Sequence, residues 1–502
     1  MNTQTGKTGR LGYSILYEKS NSSLMEHYGS VTSLVLFLLS LTIAFCGCSI
    51  IRQGLDWDEA TDFQGSIILI SIDALRADHL GCYGYSRDTS PNIDSFAKRN
   101  IIFNNCYVHE PWTLPSHMSM LTSLYPITHS VDMSHSLNPS IITLTEVLKN
   151  KGYITEGFAC GGPWIYPVYG FGQGFYHYNA GGPERNAKQQ NALVAKCLEE
   201  YKERKLFLFI HYFDVHSKFN RLPYDVPPPY NDLFTAGYDG TFKGGSGGTF
   251  ASEHLAYINR KQIKLREKDL NYIMSLYDNG IAYMDKCIGD LFSMLKDMDL
   301  FDNSLIIITA DHGEEFQEHG YMMHGNPYYY EEIVRVPLIV KLPMNNKGGR
   351  IINNLVESID IMPFILDFLG IRKSKMQGRS FKGTIDGAKE EKEFVFGFGS
   401  TGSLFIRSGR WKMLNDSGLK EGRFKLFDLQ KDPMERVNLI GKDLAIEATL
   451  KKKLKEKIKA SQKLRKKLLK KEDRSRDNRK EHKDVSLTQE EKEKLRALGY
   501  LE

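Results

Sequence analysis

The sequence predicts an α/β fold in which helices sandwich a large, mostly parallel sheet, followed by a smaller C-terminal antiparallel-sheet α+β domain. Short apolar runs rich in β-branched residues alternate with helical patterns over most of the 502 residues. From about Glu391 the pattern changes to short apolar runs separated by turn residues, which is typical of an antiparallel sheet. A hydrophobic content of 41% is ordinary for a globular protein with a sizeable core.

The strands predicted for the large sheet are mostly apolar and rich in β-branched residues, as expected when both faces of a parallel sheet are covered. They lie at 66–72, 152–159, 206–213, 305–309 and 336–342. Helices are predicted between them, at 143–149, 186–204 and 269–298. In a sheet of this kind the functional site forms outside the carboxyl ends of the strands.

The segments around these elements complete the predicted organisation. We expect a polar N-terminal segment at 1–30, an apolar segment at 31–51, a linker at 52–65, the main domain at 66–385, the antiparallel subdomain at 386–445, and a basic amphipathic helix with a tail at 446–502. The short strands of the subdomain are predicted to begin near Phe394, Leu404, Trp411 and Phe424.

The apolar segment 31–51 is long enough to cross a bilayer as a helix. One interpretation is a single N-terminal membrane anchor, and another is a cleaved signal that begins at Met25. Cys48 also lies in a context that loosely resembles a lipoprotein cleavage site. Each interpretation predicts an exported, membrane-associated protein. A buried core helix is the alternative, against which the polar flanks argue.

Seven cysteines are present, and two of them lie in the apolar segment. The other five are widely spaced and show no metal-like pairing. An odd, scattered set does not indicate a disulfide framework, although one disulfide stays open.

Residues 111–126 contain a hydroxyl ahead of a predicted helix. Thr113 lies two residues before Pro115, which we expect to be the first helical residue because its fixed φ is helical. The start of a helix gathers free N–H groups and can hold an anion. A nucleophile beside such a site is what ester cleavage at phosphorus or sulfur requires. A plain buried turn is the alternative.

Acidic and imidazole groups follow the predicted strands repeatedly. They are Asp73 after the first strand, His211, Asp214 and His216 at the end of the strand at 206–213, and Asp311 and His312 after the strand at 305–309. Any one of them could instead cap a helix or lie in a solvated loop.

Hard oxygen ligands with one imidazole suit Ca²⁺, Mg²⁺ or Mn²⁺, and Zn²⁺ stays open. We predict that Asp73, Asp311, His312 and the Thr113 oxygen hold a divalent ion. The ion would activate the hydroxyl and hold the ester oxygen.

The histidines outside this set have other expected roles. His117, His216 and His324 could bind the nonbridging oxygens or protonate the leaving group. A second metal near Asp214, His216 and His319 is less favoured than a local role for Glu318 and His319.

Two further segments carry open interpretations. Residues 227–248 are predicted to form a long loop that covers the site and selects the substrate. Residues 450–483 are predicted to form a basic helix with an apolar stripe, either a solvated surface helix or a helix that docks on anionic lipid headgroups. No nucleic-acid partner is expected, since export removes most such partners.

Several separated motifs resemble sulfatases of the alkaline phosphatase and sulfatase superfamily. They are Ile72-Asp73-Ala74-Leu75-Arg76-Ala77-Asp78, Ser90-Pro91-Asn92-Ile93-Asp94, Thr309-Ala310-Asp311-His312-Gly313, His324-Gly325, Arg335-Val336-Pro337, residues 426–439 and the tail at 491–500. The resemblance implies an alkaline phosphatase-like fold and makes Asp73, Asp311 and His312 metal ligands. It places His216 and His324 at the ester and its leaving oxygen.

The sequence departs from the sulfatase pattern at the nucleophile. Sulfatases use Cys or Ser in a Cys/Ser-x-Pro-x-Arg motif and oxidise it to formylglycine, whereas this chain has Thr113 and, in place of the arginine, His117. No formylglycine is therefore expected. Ala74 also stands where many sulfatases have a second acid. Threonine is the nucleophile in phosphoryl-transferring relatives of the superfamily.

The sequence therefore predicts a metal-dependent hydrolase or transferase that cleaves phosphate mono- or diesters through a covalent Thr113 intermediate. Sulfate ester hydrolysis without formylglycine is the first alternative, so the substrate is an anionic ester in either case. An exported binding protein without activity is the second alternative, and the complete set of metal ligands argues against it.

Overall fold

The structure is a computed structural model that describes residues 63–218, 221–242, 250–325, 329–372, 375–389, 391–399, 402–415 and 423–469. These residues belong to one compact unit. The apolar segment 31–51, the glycine run at 244–248 and the tail motif at 491–500 lie outside them. Within the described ranges, no helix has both the length and the apolar character needed to cross a membrane.

An eight-stranded sheet lies at the centre of the fold. Its strands are β1 (Ile67–Ile72), β2 (Ile101–Tyr107), β3 (Ile154–Ala159), β4 (His177–Ala180), β5 (Leu206–Tyr212), β6 (Leu305–Ala310), β9 (Arg335–Lys341) and β10 (Arg350–Glu357), while β7 (Glu315–Phe316) and β8 (Met322–Met323) form a separate pair. The order across the sheet is β10-β2-β9-β6-β1-β5-β3-β4. Strand β1 is parallel to both of its neighbours, β5 and β6.

The mostly parallel sheet is confirmed, but β9 runs antiparallel to β2 and β6. The prediction that 336–342 is a parallel strand like the others was therefore wrong in direction. Both faces of β9 are buried, so its sequence has the same apolar character as that of a parallel strand.

The helices are α1 (Pro91–Lys98), α2 (Thr113–Thr122), α3 (Pro126–His129), α4 (Leu144–Asn150), α5 (Ala187–Tyr201), α6 (Glu253–Lys261), α7 (Glu267–Asp297), α8 (Glu331–Val334), α9 (Ile361–Phe368), α10 (Lys382–Ile385) and α11 (Leu444–Leu469). Helices α4 and α5 begin at capping boxes, in which Thr143 pairs with Glu146 and Asn186 pairs with Gln189. All three helices predicted for the main domain are present.

Helices α2 and α5 lie on opposite faces of the sheet. His211 packs against His117 of α2, with ring centroids 4.6 Å apart, while the next residue, Tyr212, donates a hydrogen bond to Asn191 of α5. Successive side chains of a strand point to opposite faces, so these two contacts place one helix on each side. The sandwich predicted from the sequence is therefore present around β5.

The C-terminal residues form the predicted antiparallel sheet. Its strands are β11 (Val395–Phe398), β12 (Leu404–Arg407), β13 (Trp411–Asn415) and β14 (Phe424–Asp428), paired in sequence order. Helix α11 lies against this sheet, because Leu450 and Leu454 are buried in one cluster with Ile406 and Met413. The apolar stripe expected on the basic helix thus packs against the C-terminal sheet instead of facing lipid.

The five described cysteines, Cys82, Cys106, Cys160, Cys197 and Cys287, are all free thiols. The disulfide that the sequence left open is therefore absent among them.

Candidate active site

Three predicted metal ligands meet at the carboxyl ends of β1 and β6. Asp73 follows β1, while Asp311 and His312 follow β6, and all three side chains are fully buried. One ligand atom from each lies within 4.8 Å of the others. The parallel pairing of β1 with β6 brings these distant parts of the sequence together. The predicted ligand set is thus assembled.

Thr113 is the first residue of α2 and lies beside this set. Its Oγ1 is 3.4 Å from Oδ2 of Asp73 and 3.4 Å from Nε2 of His312. The expectation that Pro115 begins the helix was wrong, since Pro115 is the third helical residue. Proline is tolerated there because the N–H groups of the first turn have no partner within the helix.

The hydrogen bonds around the acids leave atoms suited to a cation. Oδ1 of Asp311 accepts the N–H groups of Ala74 and His312, at 3.2 and 3.0 Å. Oδ2 of Asp311 and Oδ1 of Asp73 are buried without a hydrogen-bond partner among the described residues. Nδ1 of His312 donates to the Gly313 carbonyl, so its Nε2 faces the two carboxylates. Burial and then the charge of Asp311 raise the pKa of Asp73.

Two buried carboxylate oxygens without a hydrogen-bond partner are costly, and a divalent ion bound between them would compensate their charge. The imidazole of His312 is oriented to be a further ligand of that ion. The residues present therefore agree with the metal that the resemblance implies. Ligand identity here, two carboxylates with imidazole, is compatible with several divalent ions.

A second pair of imidazoles lies next to the ligands. Nε2 of His216 is 3.2 Å from Nε2 of His324, and the His324 ring lies 4.0 Å from that of His312. Nδ1 of His324 is 2.5 Å from Glu314 Oε2, and the other Glu314 oxygen accepts the hydroxyl of Tyr224. Burial lowers the pKa of His216 to about 3. The structure thus brings His216 and His324 together beside the predicted metal ligands.

His117 lies beneath Thr113, one turn further along α2. Its Nε2 is 2.9 Å from Oγ of Ser71, and its Nδ1 is 2.9 Å from the carbonyl of Thr113. Both ring nitrogens therefore have protein partners. The substrate-binding role predicted for His117 gains no support from this geometry, which suits a residue that fixes the start of α2.

The structure does not gather the residues considered for a second metal. Among the described residues, Asp214, His216 and His319 form no common ligand group. His319 instead pairs with Glu332 at 2.6 Å and faces the carbonyl of Met434. Glu318 accepts hydrogen bonds from Arg76 and from the backbone of Phe316. The local role is therefore the one that the geometry favours for both residues.

Two residues of the site had no assigned role in the sequence. His211 lies at the end of β5, with Nε2 3.3 Å from Oδ2 of Asp73, and burial lowers its pKa to about 4. Glu314 follows Asp311-His312-Gly313 and holds His324. Burial raises the pKa of Glu314 to about 7. The position of His211 at the end of a predicted strand suggested a site residue. Its contact with Asp73 could not be predicted, because that contact depends on the order of the strands in the sheet.

The described part of the loop at 227–248 packs along α7. The rings of Tyr238 and Tyr272 stack at 3.8 Å, and the backbone of Phe234 donates to the side chain of Asn279. The substrate-selecting role of this loop stays a prediction.

Comparisons with known proteins agree with this architecture. The sequence model of the Sulfatase family matches residues 66–371, and that of the N-sulphoglucosamine sulphohydrolase C-terminal region matches residues 317–464. An arylsulfatase of Clostridium perfringens is 24% identical over 449 residues, which cover 75% of this chain and 90% of the relative. An N-acetylglucosamine-6-O-sulfatase of Bacteroides thetaiotaomicron is 25% identical and covers 75% and 83%.

Solved structures share the fold at low identity. A protein solved with its substrate D-glucosamine-2-N,6-O-disulfate superposes with a TM-score of 0.66 at 18% identity, covering 80% of this chain and 98% of that one. The phosphonate monoester hydrolase of Agrobacterium radiobacter gives a TM-score of 0.63 at 20% identity, covering 80% and 96%. With more than half of the sequence matched by the family model, the chain belongs to the sulfatase family, within the sulfatase and alkaline phosphatase superfamily of enzymes.

Proposed function

We propose that this enzyme cleaves phosphate mono- or diesters in a metal-dependent reaction with a covalent intermediate on Thr113. The observation that carries the proposal is the position of the Thr113 hydroxyl, 3.4 Å from both Asp73 and His312 at the start of α2. A hydroxyl among metal ligands is placed as a nucleophile. Threonine at this position argues against the formylglycine route of sulfatases.

Asp73, Asp311, His312 and the Thr113 oxygen would hold the divalent ion. When bound, the ion lowers the pKa of the hydroxyl and stabilises the charge on the ester oxygens. The two partnerless oxygens of Asp73 and Asp311 supply negative charge for it.

The proposed reaction has two displacements. Oγ1 of Thr113 gives its proton to solvent and forms a bond to phosphorus, while the bond from phosphorus to the leaving alcohol breaks. The His216 and His324 pair gives a proton to the departing oxygen. Water, or the hydroxyl of an acceptor in a transferase, then attacks the same phosphorus and returns a proton to the His216 and His324 pair. The bond from phosphorus to Oγ1 breaks, and Thr113 regains its proton from solvent.

Sulfate ester hydrolysis is the second candidate, favoured by the names of the relatives, which include arylsulfatases and a carbohydrate sulfatase. The chemistry of the intermediate favours phosphate. A formylglycine hemiacetal can eliminate sulfate, whereas a sulfothreonine offers no such exit and must be attacked again at sulfur. A phosphothreonine is displaced in line with metal assistance.

The test compares three aryl esters with the purified full chain: 4-nitrophenyl phosphate, bis(4-nitrophenyl) phosphate and 4-nitrophenyl sulfate. We expect turnover of a phosphate ester, abolished by Thr113→Ala. Thr122→Ala removes a hydroxyl from the same helix, where it donates to the Met118 carbonyl, and should keep activity. Acid quenching followed by peptide mapping should find phosphate on Thr113. Sulfatase turnover that depends on Thr113, without phosphatase activity, would refute the proposal.

We also propose that the enzyme acts outside the cytoplasm at a membrane, on the basis of the apolar segment 31–51 alone. Fractionation of cells, with protease added to the outside, tests this location. Protection of the catalytic domain in intact cells would contradict it.

A further inference from the structure

The fully buried imidazole of His211 lies beside the predicted metal ligands, and no sequence motif gives this residue a role. We propose that His211 is itself a ligand of the metal, and that the resulting centre of two carboxylates and two imidazoles prefers a first-row transition ion to Ca²⁺ or Mg²⁺. This inference rests on the metal centre of the proposed function but not on which ester is cleaved.

The hydrogen bonding of His211 is that of a metal ligand. Its Nδ1 donates to the carbonyl of Cys160 at 2.5 Å, which leaves the lone pair on Nε2. Nε2 has no hydrogen-bond partner among the described residues, and the side chain is 0% exposed. Histidines that bind metals characteristically donate their other ring N–H to a carbonyl or carboxylate, which fixes the tautomer and aims the ring.

The distance between His211 and Asp73 suits two ligands of one ion, and the distance between His312 and Asp73 is slightly longer. Nε2 of His211 is 3.3 Å from Oδ2 of Asp73, and Nε2 of His312 is 3.6 Å from the other oxygen of Asp73. Two atoms bound at about 2.1 Å to the same ion lie roughly 3.0 to 3.4 Å apart at octahedral or tetrahedral angles. The His211 nitrogen is therefore already at the separation from Asp73 that a shared ion requires.

The strand register explains how His211 reaches this point. In the parallel pair of β1 and β5, Ser71 lies opposite His211, and Asp73 follows two residues after Ser71. Residues two apart share a face of the sheet, so His211 and Asp73 converge. Ala74, which follows Asp73, carries no carboxylate where many sulfatases have one. His211 supplies a ligand from the neighbouring strand instead.

The donor set decides the expected metal. Carboxylate and carbonyl oxygens suit Mg²⁺ and Ca²⁺, whereas imidazole suits Zn²⁺, Fe²⁺ and the other transition ions. A second imidazole therefore shifts the preference of the centre toward Mn²⁺, Fe²⁺, Co²⁺ or Zn²⁺.

A separate ion between His117, His211 and Asp311 is the competing arrangement, because their ligand atoms also lie within 4.8 Å of one another. His117 argues against it. Both of its nitrogens have partners at 2.9 Å, in Ser71 and the Thr113 carbonyl. Such an ion would keep only His211 and a shared Asp311. We therefore assign His211 to the same ion as Asp73.

The first test counts imidazole ligands in the unaltered full chain. The chain is stripped of metal with a chelator, dialysed against excess Mn²⁺ and then freed of unbound ion, and it is examined by metal analysis and by pulsed electron paramagnetic resonance without substrate. We expect nitrogen couplings from two imidazoles and a stoichiometry of one ion. A single imidazole nitrogen, or two bound ions, would overturn the proposal. A failed ester assay has no bearing on this result.

The second test removes the imidazole. His211→Gln should weaken Mn²⁺ and Zn²⁺ binding by at least about 100-fold in calorimetric titrations. Binding of Ca²⁺ should change much less, so the ratio of affinities falls. The matched control is His109→Gln, because His109 is also fully buried, with Nδ1 at a backbone carbonyl and Nε2 partnerless among the described residues.

We expect His109→Gln to keep the affinities of the unaltered chain. Melting temperatures of the metal-free proteins show whether each variant folds. Unchanged Mn²⁺ affinity in folded His211→Gln would refute the assignment, as would tighter binding of Ca²⁺ than of Mn²⁺ by the unaltered chain.

Discussion

Nε2 of His216 lies 3.2 Å from Nε2 of His324, and one proton must lie between them. Nδ1 of His216 donates to the carbonyl of Ser217, and Nδ1 of His324 faces the carboxylate of Glu314. Burial raises the pKa of Glu314 to about 7, so a protonated Glu314 can donate to Nδ1 of His324, whose Nε2–H then donates to Nε2 of His216 while both imidazoles stay neutral. In the proposed reaction this proton goes to the leaving oxygen, beside the predicted metal ligands.

Removal of the proton between His216 and His324 should matter most for poor leaving groups. We expect His324→Asn to lower kcat by about 10²–10⁴-fold for a phenyl ester, and by much less for a 4-nitrophenyl ester, whose alcohol needs no proton. Rates over a series of substituted phenols measure the difference. His135→Asn, at an exposed histidine, serves as the control. Equal losses for all leaving groups would contradict the role.

The Thr113 hydroxyl should be replaceable by another hydroxyl. Thr113→Ser keeps the oxygen that lies 3.4 Å from Asp73, so we expect activity within about 10-fold of the unaltered enzyme. Thr113→Val keeps the shape and removes the oxygen, and should lower kcat by about 10⁴-fold or more. Steady-state rates with a single phosphate ester test both. Comparable activity of the serine and valine variants would exclude covalent catalysis at this position.

The sequence predicted the strands that fill the centre of the sheet, because burial on both faces leaves a mostly apolar run such as Ile67–Ile72, in which Ser71 is the one polar residue. The strands that it missed are less apolar. Strand β2 carries Asn104 and Asn105 where its register with β9 shifts, and β4 is a short, partly exposed strand at the edge of the sheet. Local composition is therefore enough to predict the apolar central strands, but it does not reveal the more polar strands at bulges and at the edge of the sheet.

The grouping of Asp73, Asp311 and His312 was predictable because each follows a strand within a recognisable motif. His211 follows the same rule, but its contact with Asp73 depends on β5 lying beside β1 in one register. Strand order depends on the whole fold and cannot be predicted from the sequence of β1 or of β5 alone. The start of α2 was misplaced for a different reason, since proline is compatible with each of the first helical positions.

His129 should make the protein sensitive to acid. The side chain is buried, its Nδ1 accepts the N–H of Val131 at 3.0 Å, and burial lowers its pKa to about 3. An unfolded histidine titrates near 6.5, so below that pH the unfolded chain binds a proton that the folded chain does not. Stability therefore falls with decreasing pH, by about 1.4 kcal/mol per pH unit from this one group.

Chemical unfolding at several pH values between 6 and 4.5 measures this slope. His129→Asn retains an acceptor for the Val131 N–H and should reduce the slope by about 1.4 kcal/mol per pH unit. Thr122→Ala should leave the slope unchanged, because it removes a hydroxyl that donates to the Met118 carbonyl and changes no titratable group. An identical slope in His129→Asn and the unaltered protein would contradict the prediction.

Helix α11 should be part of the folded core. Leu454 is 1% exposed and lies in the cluster that covers the C-terminal sheet. We expect Leu454→Ala to lower the free energy of unfolding by about 2–5 kcal/mol, because the deletion leaves a cavity. Lys455→Ala, at the exposed neighbour, should change it by less than about 0.5 kcal/mol. Urea unfolding followed by circular dichroism compares them, and equal stabilities would show that the helix contributes little.

Asp73 should have opposite effects on stability with and without metal. In the metal-free protein, two buried carboxylates, Asp73 and Asp311, lie close together with partnerless oxygens. Asp73→Asn removes one of these charges, so we expect the metal-free variant to be more stable than metal-free wild type by about 1–3 kcal/mol. Wild type should gain about 4 kcal/mol when metal is present at 1,000 times its Kd, and the variant should lose most of this gain.

The control for this inversion is Asp78→Asn, because Asp78 is paired with Arg76 at 2.8 Å outside the ligand set. Its loss should lower stability slightly in both states and leave the gain from metal intact. Unfolding titrations with chelator and with Mn²⁺ give the four comparisons. If metal-free Asp73→Asn were less stable than metal-free wild type, repulsion between the two carboxylates would not destabilise the metal-free protein. That result would contradict the prediction that a bound ion stabilises the fold by relieving this repulsion.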